Sequence, residues 1–285
     1  MPIYKSGIID SNIINDLVIH DGEGANSVKQ MKRHLCKLFD AILAVPKDYY
    51  CSEFALDQEA NLPVGFDKQG VMNHVERVFA YELYHRWSCR LYGNKEGLIV
   101  NGEIAKNLKW FFGNGFDDNG KQKYPDLVLH KGPTRDEQMI VCEIKRKENL
   151  RQGIVDDLIK LYRFTNVVKE NVKYHCDPYK CGVFIVTNVE KSRVKSIKKT
   201  SSKITLKDKD YDEEIKQLIV NNLIPRLPFL EFAIEEVQEI TKRILCVYSN
   251  WDETNRHTLS YQSLYNILSP NHIKVSVTTK TVYAD

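Results

Sequence analysis

The chain has 285 residues, 42% of them hydrophobic and 28% charged, with a formal charge of only +3. That balance describes a globular protein with a full core, and it excludes a disordered chain, a fibrous repeat and a uniformly basic nucleic-acid coat. No apolar run approaches the roughly 20 residues of a membrane span, and the start, MPIYKSGIIDSN, lacks the basic-then-apolar layout of a signal peptide; the expectation is a cytoplasmic protein with no membrane partner.

In chain order, helical periodicity first spans 27–44, where Val28, Met31, Leu35, Leu38 and Ile42 recur on one face. Residues 46–70 hold Pro46, Pro63, Gly65 and Gly70 among polar residues, which is loop chemistry. A second helix is predicted over 71–92. Its stripe of Met72, Glu76, Phe79, Leu83 and Trp87 sets Glu76 on an otherwise apolar face, where an acid needs a partner or a metal. Pairing with Arg77, Arg86 or another base is the structural alternative. Glu82, near the stripe of Val75 and Val78, is the second acid of this helix to consider.

Short strand-like runs follow: GLIV at 97–100, KWFFG at 109–113, PDLVLH at 125–130, MIVCEIK at 139–145 and CGVFIVT at 181–187. Between the last two, 151–172 reads as a helix with Ile154, Leu158, Leu161, Thr165 and Val168 on one face. The order of elements implies an α/β fold, a mixed central sheet with helices on its faces. Residues 191–210 are densely basic and read as a solvated linker able to meet phosphates. Beyond it, 211–243 looks helical with interruptions at Pro225 and Pro228, and 244–249 and 273–283 look like strands. The chain therefore divides into an N-terminal helical extension, 1–70, a core, 71–190, and a basic linker with a C-terminal α+β extension, 191–285. That extension is either a small subdomain or more of the same sheet.

The runs around 125–145 hold charges inside strands. Side chains alternate, so Glu143 and Lys145 share a side with Met139 and Val141, while Ile140, Cys142 and Ile144 face the other way. With the loop centred between Thr134 and Arg135, antiparallel pairing sets Asp126 opposite Glu143, their Cβ atoms about 5 Å apart. Opposed like charges destabilise a sheet, and a divalent cation offsets them well. Mg²⁺ takes hard oxygen ligands, and the backbone carbonyl of Ile144 could add one. Lys145 beside it could orient or deprotonate an attacking water. Without a metal, the same residues would form a cross-strand pair that protects a sheet edge.

Pro125-Asp126, a loop, then Glu143-Ile144-Lys145 at the end of an apolar run resembles the PD-(D/E)xK, or restriction-endonuclease-like, nuclease superfamily. The resemblance extends coarsely over 71–188, because the family core is a helix, a hairpin holding the motif, a crossover helix and a further strand. It implies that Asp126 and Glu143 bind Mg²⁺, with Mn²⁺ able to substitute, and that Lys145 is the catalytic lysine. Several family members add a glutamate from the preceding helix, here Glu76 or Glu82. Many carry a polar residue and a lysine on the following helix, here Asp157 and Lys160. Lys160, Arg146 and Lys147 are then candidate contacts to nucleic acid; a solvated pair between Asp156 and Lys160 is the structural alternative.

Other constellations are weaker. His175, Cys176 and Cys181 lack an evident fourth zinc ligand, Asp117 and Asp118 are remote candidates, and no GxxxxGK[ST], GxGxxG or GxSxG occurs. The seven cysteines are scattered without a CxxC pair, so reduced thiols are expected. The expected function is Mg²⁺-dependent hydrolysis of phosphodiesters, with DNA as the partner. Cutting both strands often uses two sites, which leaves a homodimer open. A nuclease-fold binding or assembly protein without turnover is the alternative.

Overall fold

The computed structural model describes residues 9, 25–49, 68–102, 124–132, 137–146, 153–165, 178–187, 241–251 and 257–268. Helix α1, Ala25–Leu43, buries Met31, Leu35, Leu38, Phe39 and Ile42, a spacing that keeps one stripe turned inward. Helix α2, Lys68–Leu91, begins inside the stretch expected to be loop and buries Phe79, Leu83, Trp87 and Leu91. The turn out of α2 is closed by Asn94, whose Nδ2 donates to the carbonyls of Leu91 at 2.8 Å and Leu98 at 2.9 Å.

Six strands form one mixed sheet in sequential order: β1 Leu98–Gly102, β2 Leu127–Lys131, β3 Gln138–Arg146, β4 Cys181–Thr187, β5 Ile244–Trp251 and β6 His257–Ser263. β1, β2 and β3 run antiparallel in succession, β3, β4 and β5 are parallel, and β6 returns antiparallel. Helix α3, Ile154–Phe164, is the crossover that parallel β3 and β4 require. It lies against both strands. The C-terminal strands thus continue the core sheet, which settles between the two arrangements open to sequence. β6 was not among the expected strands.

α1 and α2 share a core with one sheet face, built on Leu127, Leu129, Ile140, Cys142, Ile144, Val183, Ile185, Leu245 and Val247. α3 covers the other face, so all seven residues of β4 are buried. Close approach is possible because Gly182 has no side chain: a Cβ there would stand 3.3 Å from both Thr165 Cγ2 and Ile244 Cγ1.

The hairpin register is the expected one near the motif, with Leu127 opposite Cys142 and Val128 opposite Val141. It slips by one residue between Leu129 and His130. That irregularity corrects the face assigned to Met139, which joins Ile140, Cys142 and Ile144 in the core cluster. An extra residue on one strand breaks the alternation for everything beyond it. The expected strands at 109–113 and 273–283, the 191–210 run and nearly all of the 211–243 helix lie outside the described residues. So do Asp117, Asp118, Lys147, His175 and Cys176.

Candidate active site

The ladder that pairs Leu127 with Cys142 brings Asp126 alongside Glu143 one step further. The next residue back, Pro125, has no N–H to give to Ile144, so regular pairing ends there. The Ile144 N–H is held separately, by a side chain: Asp126 Oδ2 accepts it at 2.6 Å. Sequence reasoning considered only the Ile144 carbonyl; strand spacing carried no signal that the Asp126 carboxylate would serve the N–H.

Glu143 lies on the α3 face of β3 and is 1% exposed. Its Oε2 accepts from Lys160 Nζ of α3 at 2.6 Å, while its Oε1 is buried without a hydrogen-bond partner. Asp157, also on α3, stands between two lysines, 3.0 Å from Lys160 Nζ through Oδ1 and 3.0 Å from Lys145 Nζ through Oδ2. Lys145 in turn lies 3.7 Å from Glu76 Oε1. Glu76 reaches in from α2, and its Oε2 accepts the Arg146 N–H at 3.4 Å. Two helices from opposite faces therefore converge on the end of β3.

Helix α3 can present Asp157 and Lys160 together because they are three residues apart on one turn. It starts at Gly153, whose φ of 86° lies in the left-handed region. Asp156 and Asp157 in the first turn also suit the positive end of the helix dipole.

Burial sets the electrostatics. It pushes the Asp126 carboxyl up to about 6, against the lowering effect of the Ile144 N–H and of Lys160. Glu143 is raised further, by burial and then by Asp126, and Lys160 only partly opposes this. Burial tends to lower both lysines, but Asp157 and Glu76 outweigh it at Lys145, and Glu143 and Asp157 outweigh it at Lys160, so both are held above the ordinary lysine value. Both ammonium groups stay charged.

Among the described residues no three His, Cys, Asp or Glu side chains converge as a ready ligand shell. The reason is visible in the ion pairs: Lys145 and Lys160 are threaded between the acids. Glu76 is near enough to raise Asp126, but its contacts are Lys145 and the Arg146 N–H. Glu82, the other candidate, pairs with Arg86 at 2.6 Å on its own helix. Arg146 is buried, so it is not on the surface where a nucleic acid would meet it. Lys160, expected either at a nucleic acid or in a solvated pair with Asp156, binds Glu143 and Asp157, and Cys181 is a core thiol.

A divalent cation fits this set. Within the linked group four carboxylates, Glu76, Asp126, Glu143 and Asp157, meet two ammonium groups, and burial disfavours the ionised forms of Asp126 and Glu143 until a further cation joins them. The orphaned Glu143 Oε1 is buried beside Asp126, and hard oxygen donors are what Mg²⁺ or Mn²⁺ takes.

Fold and site together define an α/β protein whose carboxylates and lysines gather where a hairpin strand meets its crossover helix. The chain matches no protein-family model, no curated protein and no solved structure at a significant level. Among the described residues no helix is long and apolar enough to cross a membrane.

Proposed function

We propose that the chain is a divalent-cation-dependent nuclease of the restriction-endonuclease-like, PD-(D/E)xK kind, hydrolysing phosphodiester bonds in DNA. The observation that carries this reading is the buried, unpartnered Glu143 Oε1 beside an Asp126 carboxyl raised to about 6, with a charged lysine two residues along the strand. Such a pair is costly to keep ionised unless a cation joins it. Asp126, Glu143 and the Ile144 carbonyl would hold Mg²⁺ or Mn²⁺; when bound, the ion supplies Lewis-acid polarisation of phosphate and a lower pKa for water.

The chain's own residues do the rest. Lys145, held by Asp157 and Glu76, orients the attacking water and meets charge developing on the phosphate. Glu76 acts through Lys145 as a positioning residue. Lys160, on Glu143 Oε2 and Asp157 Oδ1, holds those two acids in place and is the second ammonium group at the site, able to meet a phosphate.

Plasmid or linear DNA incubated with the protein and Mg²⁺ or Mn²⁺ should be cut, and Lys145→Ala should abolish cutting while its circular dichroism spectrum stays that of the parent. Equal cutting with and without Lys145 would remove the assignment.

The ion pair between Lys160 and Glu143 favours a second reading, a nucleic-acid-binding protein without turnover, because the ammonium already neutralises that acid. The two readings separate on melting. A rise in Tm with Mn²⁺ that disappears in Asp126→Ala and Glu143→Ala belongs to the nuclease. Salt-sensitive DNA binding with no such rise belongs to the binding protein.

A further inference from the structure

The contacts of the four acids at the end of β3 fix how much room is left for cations. Glu76 has Oε1 3.7 Å from Lys145 Nζ and Oε2 on the Arg146 N–H. Asp157 has an ammonium beside each oxygen, Lys160 at Oδ1 and Lys145 at Oδ2, both at 3.0 Å. Asp126 has Oδ2 on the Ile144 N–H, and Glu143 has Oε2 on Lys160 Nζ at 2.6 Å. Among the described residues this leaves the other oxygen of Asp126 and the buried, unpartnered Oε1 of Glu143, on neighbouring strands. Two such oxygens serve one ion. Mg²⁺ commonly takes one or two carboxylates and completes its shell with water and phosphate.

Glu143 also shows what fills the place beside that ion. In two-metal phosphodiester sites the ions stand roughly 3.5–4 Å apart, and a carboxylate that bridges them puts one oxygen on each. Glu143 has this divided form, with one oxygen open and the other on an ammonium. Lys160 Nζ reaches Asp157 Oδ1 as well, so it joins an acid of β3 to an acid of α3, as a metal ion held between two elements does. An ammonium is a compact point charge with three N–H donors. Glu143 and Asp157 take two of them, and the third is left for a phosphate, which can reach a side chain that is 17% exposed. A second metal ion would find both oxygens occupied and a positive charge already between them.

We infer that Lys160 stands in the second cation position of this site, so that the chain takes one divalent cation, at Asp126 and Glu143 Oε1, and uses the Lys160 ammonium where a two-metal nuclease uses another ion. This rests on the nuclease reading and deepens it: the site is a one-cation site with a built-in positive charge beside the metal. Because that charge is tethered to α3, it is present at every metal concentration.

Counting bound Mn²⁺ tests this without any cutting. The full chain, stripped with chelator and free of DNA, is titrated with Mn²⁺ while the free ion is read from its electron paramagnetic resonance signal. The parent should bind one Mn²⁺ per chain. Lys160→Ala opens Glu143 Oε2 and Asp157 Oδ1 and should bind two, whereas Lys160→Arg keeps a cationic side chain there and should bind one. If Lys160→Ala shows no cooperative melt, Lys160→Gln, which loses the charge and keeps most of the side chain, replaces it with the same expectation. Two ions in the parent, or one ion in a folded neutral variant, overturns the inference and leaves the nuclease reading standing. No ion in the parent overturns the inference and the metal-dependent nuclease reading together.

Discussion

Asp126 shows how a single side chain couples the site to pH. Its folded-state value of about 6 lies above the ordinary 3.8, so the fold favours the protonated form. The sign follows: this group's contribution is fully present below about 4 and is lost as pH rises through 6, on the order of 3 kcal/mol at most. Asp126→Asn keeps an oxygen for the Ile144 N–H and removes the charge. In EDTA at pH 8 it should therefore melt above the parent, and the difference should shrink as pH falls from 6 towards 4; melting curves over that range check it. Lys160 poses the opposite case. Removing it strands a Glu143 that is 1% exposed, and breaking one partner of a buried pair costs about 3 kcal/mol. Urea denaturation of Lys160→Met in EDTA should show that loss, and millimolar Mn²⁺ should raise the Tm of this variant more than that of the parent.

At the scale of elements, the site depends on where α3 begins. Gly153 adopts φ 86°, and a Cβ there would lie 3.8 Å from Lys145 Nζ, an ordinary contact. The backbone, not crowding, is what resists a side chain. Gly153→Ala should cost about 1 kcal/mol through the left-handed conformation alone. Because the same residue sets the first turn that carries Asp157, the substitution should also weaken the Mn²⁺-dependent rise in Tm, measurable in one titration. Much of this element was legible in sequence. The predicted helix at 151–172 contains the described α3, Ile154–Phe164, and Leu158 and Leu161 are buried as their spacing requires. What spacing could not show was that Lys160 would turn to Glu143, since a lysine on a half-polar helix face is equally compatible with water.

Over the whole molecule, the sheet joins segments far apart in the chain. β4 is buried along its full length because β3 flanks it on one side and β5 on the other. A fragment ending at residue 190 would leave that apolar strand as an open edge. Such a fragment should aggregate or fail to fold, visible as loss of the monodisperse peak that the full chain should give in size-exclusion chromatography. Cutting the chain at the end of the motif-bearing segment is thus the wrong way to isolate the site.

The amino-acid sequence by itself determined the hairpin around the motif, the buried stripes of α1 and α2, and the crossover helix, because apolar periodicity and strand alternation act over a few residues. It also placed Asp126 opposite Glu143, since near the motif the register obeys simple antiparallel counting. Three things were decided only by tertiary structure. The slip at Leu129 and His130 turned Met139 into the core; Glu76, Asp157 and Lys160 closed on the end of β3 from two helices; and β5 and β6 joined the same sheet. Each involves partners from separate elements, and their preference for one another over water exists only once packing has removed the water between them.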